Sequence, residues 1–156
     1  GPKGLALTRQ NVPVLEGTKE KADEGVRRGA YVLVEGSKET PDVILMATGS
    51  EVQLAVEAAQ QLESKGIAAR VVSVPCLDWF EEQDKEYQEK VLPSEVTARV
   101  SVEAGIAMPW YRWLGSRGRA VSLEHFGASA DYQKLYNEFG ITTDAVVAAA
   151  HDSLAS

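Results

Sequence analysis

Apolar residues along this chain fall into short unbroken runs that alternate with longer stretches repeating every three to four positions. Residues 30–35 are a β-branched and aromatic run closed by Gly36, and a second run follows Pro41 over residues 42–46, so two strands and a turn are predicted. The period then changes: Val52, Val56, Ala59 and Leu62 share one face of a helix of about four turns, which Gly66 stops. Residues 67–74 form another apolar run ended by Pro75, so strand, helix and strand make a parallel crossover. A turn is predicted over 76–80, one charged amphipathic helix over 81–92, and strands over 97–102 and 121–123. Tyr132, Leu135 or Tyr136, and Phe139 share a face and define a further helix. Val146, Val147, Ala150 and Leu154 define another, started by Thr142-Thr143-Asp144. Residues 12–28 mix Pro13, Gly17 and Gly25 with charges and no apolar period, which reads as a connector. The expected architecture is α/β, a sheet of about five mostly parallel strands (mixed) flanked by helices.

Composition adds little to that picture and excludes several functions. With 156 residues, 44% hydrophobic, the chain is long enough for one buried core. A net charge of -7 with scattered basic residues argues against nucleic acid as a partner. No apolar stretch is long enough to span a bilayer, so no membrane partner is expected. Cys76 is the single cysteine, which fits a reducing, cytoplasmic setting. His125 and His151 lie far from it and from each other, so no metal is expected on this chain alone.

Candidate chemistry is sparse. Leu5 to Leu7 reads as a strand, and Arg9 follows it where a strand leaves a sheet, a common ligand-side position at which a guanidinium suits a phosphate. A surface arginine paired with a carboxylate is the competing reading. Thr48, Gly49 and Ser50 join strand to helix and offer free amides as an anion cradle. Two overlapping capping boxes, Thr48 with Glu51 and Ser50 with Gln53, explain the same residues without a ligand. Glu103 ends a strand near the same edge, as a hydrogen-bond acceptor or a catalytic carboxylate. Arg112, Arg117 and Arg119 could hold an anion or simply be solvated. The aromatics Trp79, Trp110, Tyr111, Trp113 and Phe126 fit either an interface or the core. No nucleophile elbow, carboxylate pair or Cys-His pair is present, so no catalytic residue is assigned.

Four segments together resemble transketolase. They are Leu5-Ala6-Leu7-Thr8-Arg9-Gln10-Asn11-Val12-Pro13, Ala47-Thr48-Gly49-Ser50-Glu51-Val52, Ser101-Val102-Glu103-Ala104-Gly105, and Phe126-Gly127-Ala128-Ser129-Ala130 with Phe139-Gly140-Ile141-Thr142. The resemblance implies that residues 1–28 are the end of a pyrimidine-binding domain and a linker, and that 29–156 are the family's C-terminal domain. It implies a parent enzyme that moves a two-carbon ketol unit between sugar phosphates with thiamine diphosphate and a divalent metal, magnesium or calcium. Both would be held by domains whose motifs this chain lacks. By the same resemblance Arg9 binds the substrate phosphate, and the domain after it supports a homodimer and the other domains of the parent and is inactive alone. A related thiamine-dependent enzyme, such as deoxyxylulose-phosphate synthase or a 2-oxoacid dehydrogenase subunit, is the nearest alternative, and an anion-binding regulatory module is another. The strand severed from its parent sheet leads us to expect residues 1 to about 20 on a neighbouring molecule or along the domain surface.

Overall fold

In a computed structural model, which describes residues 4, 5 and 7–156, the alternating pattern closes into a single five-stranded sheet. The strands are β1 (Tyr31–Val34), β2 (Val43–Ala47), β3 (Ala69–Ser73), β4 (Arg99–Val102) and β5 (Arg119–Val121), in the order β1-β3-β2-β4-β5. β1 runs antiparallel to β3, and every other pairing is parallel. The mostly parallel α/β sheet read from the sequence is therefore observed.

The sheet is covered on both faces, which is why β2 and β3 are buried at every position. Val43, Leu45, Val71, Val100 and Val102 pack against helices α2 (Val52–Ser64) and α7 (Thr143–Ala155). Ile44, Met46 and Val72 meet the opposite layer, where Phe80, Val91, Trp110 and Trp113 come from helices α3 (Leu77–Glu81), α4 (Lys85–Val91) and α5 (Tyr111–Leu114) and the 3-10 turn before α5. The even spacing of strand side chains sends alternate residues to the two cores. Helix α6 (Tyr132–Glu138) lies against the first face, capped by the Asp131 carboxylate, which accepts from the Gln133 amide. Thr142 caps α7 by accepting from Ala145 N at 3.2 Å, as the Thr-Thr-Asp signal predicts.

Four expectations need correction. Residues 18–28 are not a featureless connector but helix α1 (Thr18–Arg28), framed by left-handed glycines at 17 and 29. Its apolar face is nearly absent. It is supported by Asp23–Arg27 and Glu24–Arg28 pairs one turn apart and by Gly25, whose missing side chain lets the Tyr31 ring lie against the backbone. The turn expected over 76–80 is helix α3, and the helix expected over 81–92 is the shorter α4, which starts at Lys85. Asp84 caps α4 by accepting from Tyr87 N, while the buried Gln88 amide donates to the Phe80, Glu81 and Gln83 carbonyls at the end of α3. β5 precedes the predicted 121–123 run because its backbone pairs residue by residue with Val100 to Val102. Finally, neither overlapping capping box forms: Thr48 makes no side-chain cap, and Ser50 and Glu51 lie inside a 3-10 turn leading into α2.

The leader follows its expectation only in part. Residues 1–3 and 6 lie outside the described ones, so the Leu5–Leu7 strand is not described as a whole; Leu5 and Leu7 are exposed and outside any strand. Gln10 and Leu15 touch the domain, and Val14 stays exposed.

Candidate functional site

Eight arginines allow a direct comparison of what each guanidinium does. Arg70 is buried, pairs with Glu35 at 3.0 Å and donates to the Lys90 carbonyl at 3.1 Å. Arg99 donates to the carbonyls of Val96, Trp113, Leu92 and Pro93 at 2.8–3.1 Å. Burial lowers its pKa from the ordinary arginine value, a cost that the four carbonyls and the negative end of α4 offset. Arg117 donates to the Ser153 and Leu154 carbonyls at the end of α7, and Arg119 to its neighbours' carbonyls and the Ser156 hydroxyl. Arg112 pairs with Glu81 and lies over the Trp113 ring. The 112/117/119 trio is thus committed to its own chain. Arg27 and Arg28 bridge to acids on α1.

Arg9 alone differs. It is exposed, and among the described residues no acceptor holds its guanidinium. Its free fork of donors is what an incoming phosphate would need.

The strand-to-helix join is built differently from the cradle expected there. Ser50 Oγ donates to Glu51 Oε1 at 2.7 Å, and Tyr136 Oη donates to the same carboxylate. Glu51 is buried, and both partners are hydroxyls rather than cations. Burial first, and then the bond to Glu51, raises the Tyr136 pKa, so its hydroxyl remains a donor at neutral pH. A cleft of about 530 Å³ opens beside this cluster, lined by Gln53, Glu57, Tyr132, Asn137 and Asp144 among others, with no lysine or arginine in its wall. By sequence alone Glu51 reads as a helix-capping residue. The Glu51–Tyr136 pair joins positions 85 residues apart, and no local spacing encodes it.

The other acidic candidate is structural in its contacts: Glu103 Oε2 accepts from the Trp110 indole at 2.7 Å. Trp110 and Trp113 are core residues, whereas Tyr111 and Phe126 are exposed. Among the described residues no group of three or more His, Cys, Asp or Glu could hold a metal, and no helix is long and apolar enough to cross a membrane.

Fold and site together define a chain whose helices and arginines build a scaffold, with one guanidinium, that of Arg9, uncommitted among the described residues. Residues 29–142 match the model of the transketolase-like C-terminal domain, and the chain belongs to that family. It is 58% identical over 157 residues to the transketolase of Mycobacterium leprae and 56% identical over 158 residues to that of Mycobacterium tuberculosis strain H37Rv; each alignment takes in 99% of this chain but 22% of the relative. Among solved structures, transketolase from Leishmania mexicana superposes with a TM-score of 0.84 at 39% identity, covering 94% of this chain and 20% of that one. The Pichia stipitis enzyme in complex with sedoheptulose-7-phosphate gives 0.79 at 39%, with the same coverage. A split-gene transketolase described as an inactive β4 tetramer gives 0.63 at 27%, covering 83% of this chain and 43% of that one. The chain therefore spans about a fifth of the length of the curated relatives it matches.

Proposed function

We propose that this chain is the C-terminal part of a cytoplasmic transketolase, in which residues 1–28 end a pyrimidine-binding domain and link it to the C-terminal domain at 29–156. The whole enzyme transfers a two-carbon ketol unit between ketose and aldose phosphates with thiamine diphosphate and a divalent magnesium or calcium ion. Arg9 binds the substrate phosphate. The domain after it supports a homodimer and the other domains, and the chain is inactive alone. The observation that carries the reading is the Arg9 guanidinium, unpaired among the described residues in a molecule whose seven other arginines are all engaged.

The relatives support it. One bears the name transketolase at 58% identity, and a superposable Pichia stipitis structure holds a sugar phosphate. The superposable split-gene protein is described as an inactive β4 tetramer, and this chain covers 43% of it, which favours inactivity for the shorter chain as well. Among the described residues no group of three or more His, Cys, Asp or Glu could hold a metal, and no chemical step is assigned to them. What Arg9 contributes is orientation. A phosphate clamped far from the reacting carbon fixes where donor and acceptor lie.

Kinetics of Arg9→Ala in the full-length enzyme test this. Losing a charge-assisted pair predicts a KM for phosphorylated sugars raised by roughly 10- to 100-fold, with turnover little changed and non-phosphorylated substrates unaffected. Unchanged constants for phosphorylated sugars would remove Arg9 from the site. The alternative, an anion at Thr48, Gly49 and Ser50, has against it the buried Glu51 carboxylate and the adjoining cleft without cations. Calorimetry of the Arg9→Ala form of this chain with millimolar inorganic phosphate, which leaves the Thr48–Ser50 join intact, should give no binding heat.

A further inference from the structure

Arg9 sits between two residues that are not free. Thr8 Oγ1 donates to Gln10 Oε1, and Gln10 Nε2 donates to Tyr136 Oη across a long 3.5 Å contact. Gln10 is half-buried, while every other described residue from 4 to 14 is exposed. The directions of these bonds agree from end to end. Tyr136 gives its proton to Glu51, which leaves its oxygen lone pairs for the Gln10 amide; Gln10 in turn gives its amide to that oxygen and keeps its carbonyl oxygen for Thr8. Glu51 stands at the start of α2 and Tyr136 on α6, so the chain of bonds ends on helices of the domain.

We propose that Tyr136 and Gln10 are positioning residues for Arg9: the Glu51–Tyr136–Gln10 chain of hydrogen bonds straps the leader to the C-terminal domain and sets where the phosphate-binding guanidinium stands. This rests on the phosphate-binding reading of Arg9 given above. It gives the C-terminal domain a part in substrate recognition without any atom of it touching substrate. Glu51 explains the choice of tyrosine. A buried carboxylate without a cation needs hydroxyl donors, and a tyrosine hydroxyl can serve it while its other side faces outward to the leader.

The test uses the full-length enzyme with Tyr136→Phe, Gln10→Ala, Arg9→Ala and the double variant Arg9→Ala/Tyr136→Phe, each assayed with phosphorylated and non-phosphorylated acceptors. Tyr136→Phe keeps the ring and its packing, and Gln10→Ala alters an outer segment, so one of the two reports even if the other misfolds. Each single variant is expected to raise KM for the phosphorylated acceptor by about 2- to 10-fold, the worth of one net hydrogen bond, with kcat and the non-phosphorylated KM unchanged. In the Arg9→Ala background Tyr136→Phe should add nothing, because its effect passes through the missing guanidinium. If Arg9→Ala raises KM and neither strap variant does, the strap is wrong and the phosphate reading stands. A Tyr136→Phe effect that persists in full without Arg9 also overturns the strap. If Arg9→Ala itself has no effect, both fall.

Discussion

Arg99 and Arg9 carry the same side chain into opposite surroundings. Around Arg99 the chain folds back four carbonyl oxygens from the end of α4 and its neighbours, so the guanidinium is consumed in holding the domain together. Around Arg9 none of the described residues folds back onto the guanidinium, and the local contacts go to Gln10 next door. The body of the molecule uses arginine to terminate helices, since a planar fork of donors satisfies orphan carbonyls and the negative end of a helix together. The N-terminal segment holds an arginine that is exposed and has no partner among the described residues. The proposed phosphate-binding role rests on that contrast.

The contrast predicts a graded set of effects. Arg99→Ala strips four carbonyls of their donor, and is expected to cost about 3–5 kcal/mol, lowering the melting midpoint of this chain by roughly 6–20 °C in a thermal scan. Glycine sharpens the same comparison. At Gly29, with φ of 82°, a methyl group would lie 2.3 Å from the Cys76 carbonyl oxygen and 2.4 Å from the Phe80 nitrogen, whereas at Gly4 it would meet nothing within 4 Å. Gly29→Ala should therefore cost about 2–4 kcal/mol by denaturant unfolding, and Gly4→Ala should be neutral.

A smaller effect separates the regions by pH. A hydrogen bond from Lys38 and another from the Ala68 amide hold the Asp42 carboxyl below its ordinary 3.8; the Ser37 hydroxyl, with the Ala69 and Ser37 amides, holds Glu63 below 4.5. Groups with depressed folded values contribute stability that is complete above those ordinary values and drains away as pH falls through the lower folded ones. Unfolding free energy should then decline below about pH 4.5, and Glu63→Gln should flatten part of that decline. Residues 4–15 contain no acid, so the acid-sensitive part of the molecule is the body. Among the arginines the smallest stability effect belongs to Arg9→Ala, expected to move the melting midpoint by no more than about 1–2 °C.

The parts of this molecule that follow local rules are legible in the sequence itself. The β2–α2–β3 unit announces itself by a change of apolar period at Thr48, and α7 by its Thr142 cap. Helix α1 is hidden because its stabilisation comes from ion pairs and a glycine contact to Tyr31 rather than an apolar stripe; its local signals are the Asp23–Arg27 and Glu24–Arg28 spacings and the Gly29 that ends it. The break between α3 and α4 is equally hard to read, because Asp84 resembles any charge on a solvated face until Tyr87 N is seen donating to it. At the candidate site, Arg9 stands out through its neighbours in sequence. Its connection to Glu51 through Tyr136 spans residues that only the folded chain brings together.

One measurement bears on the central claim most directly: the melting midpoint and the KM for a phosphorylated sugar, determined on the same full-length Arg9→Ala enzyme. An arginine kept open for a phosphate predicts an unchanged midpoint with KM raised roughly 10-fold or more. A lowered midpoint with an unchanged KM would make Arg9 one more structural arginine and contradict the account.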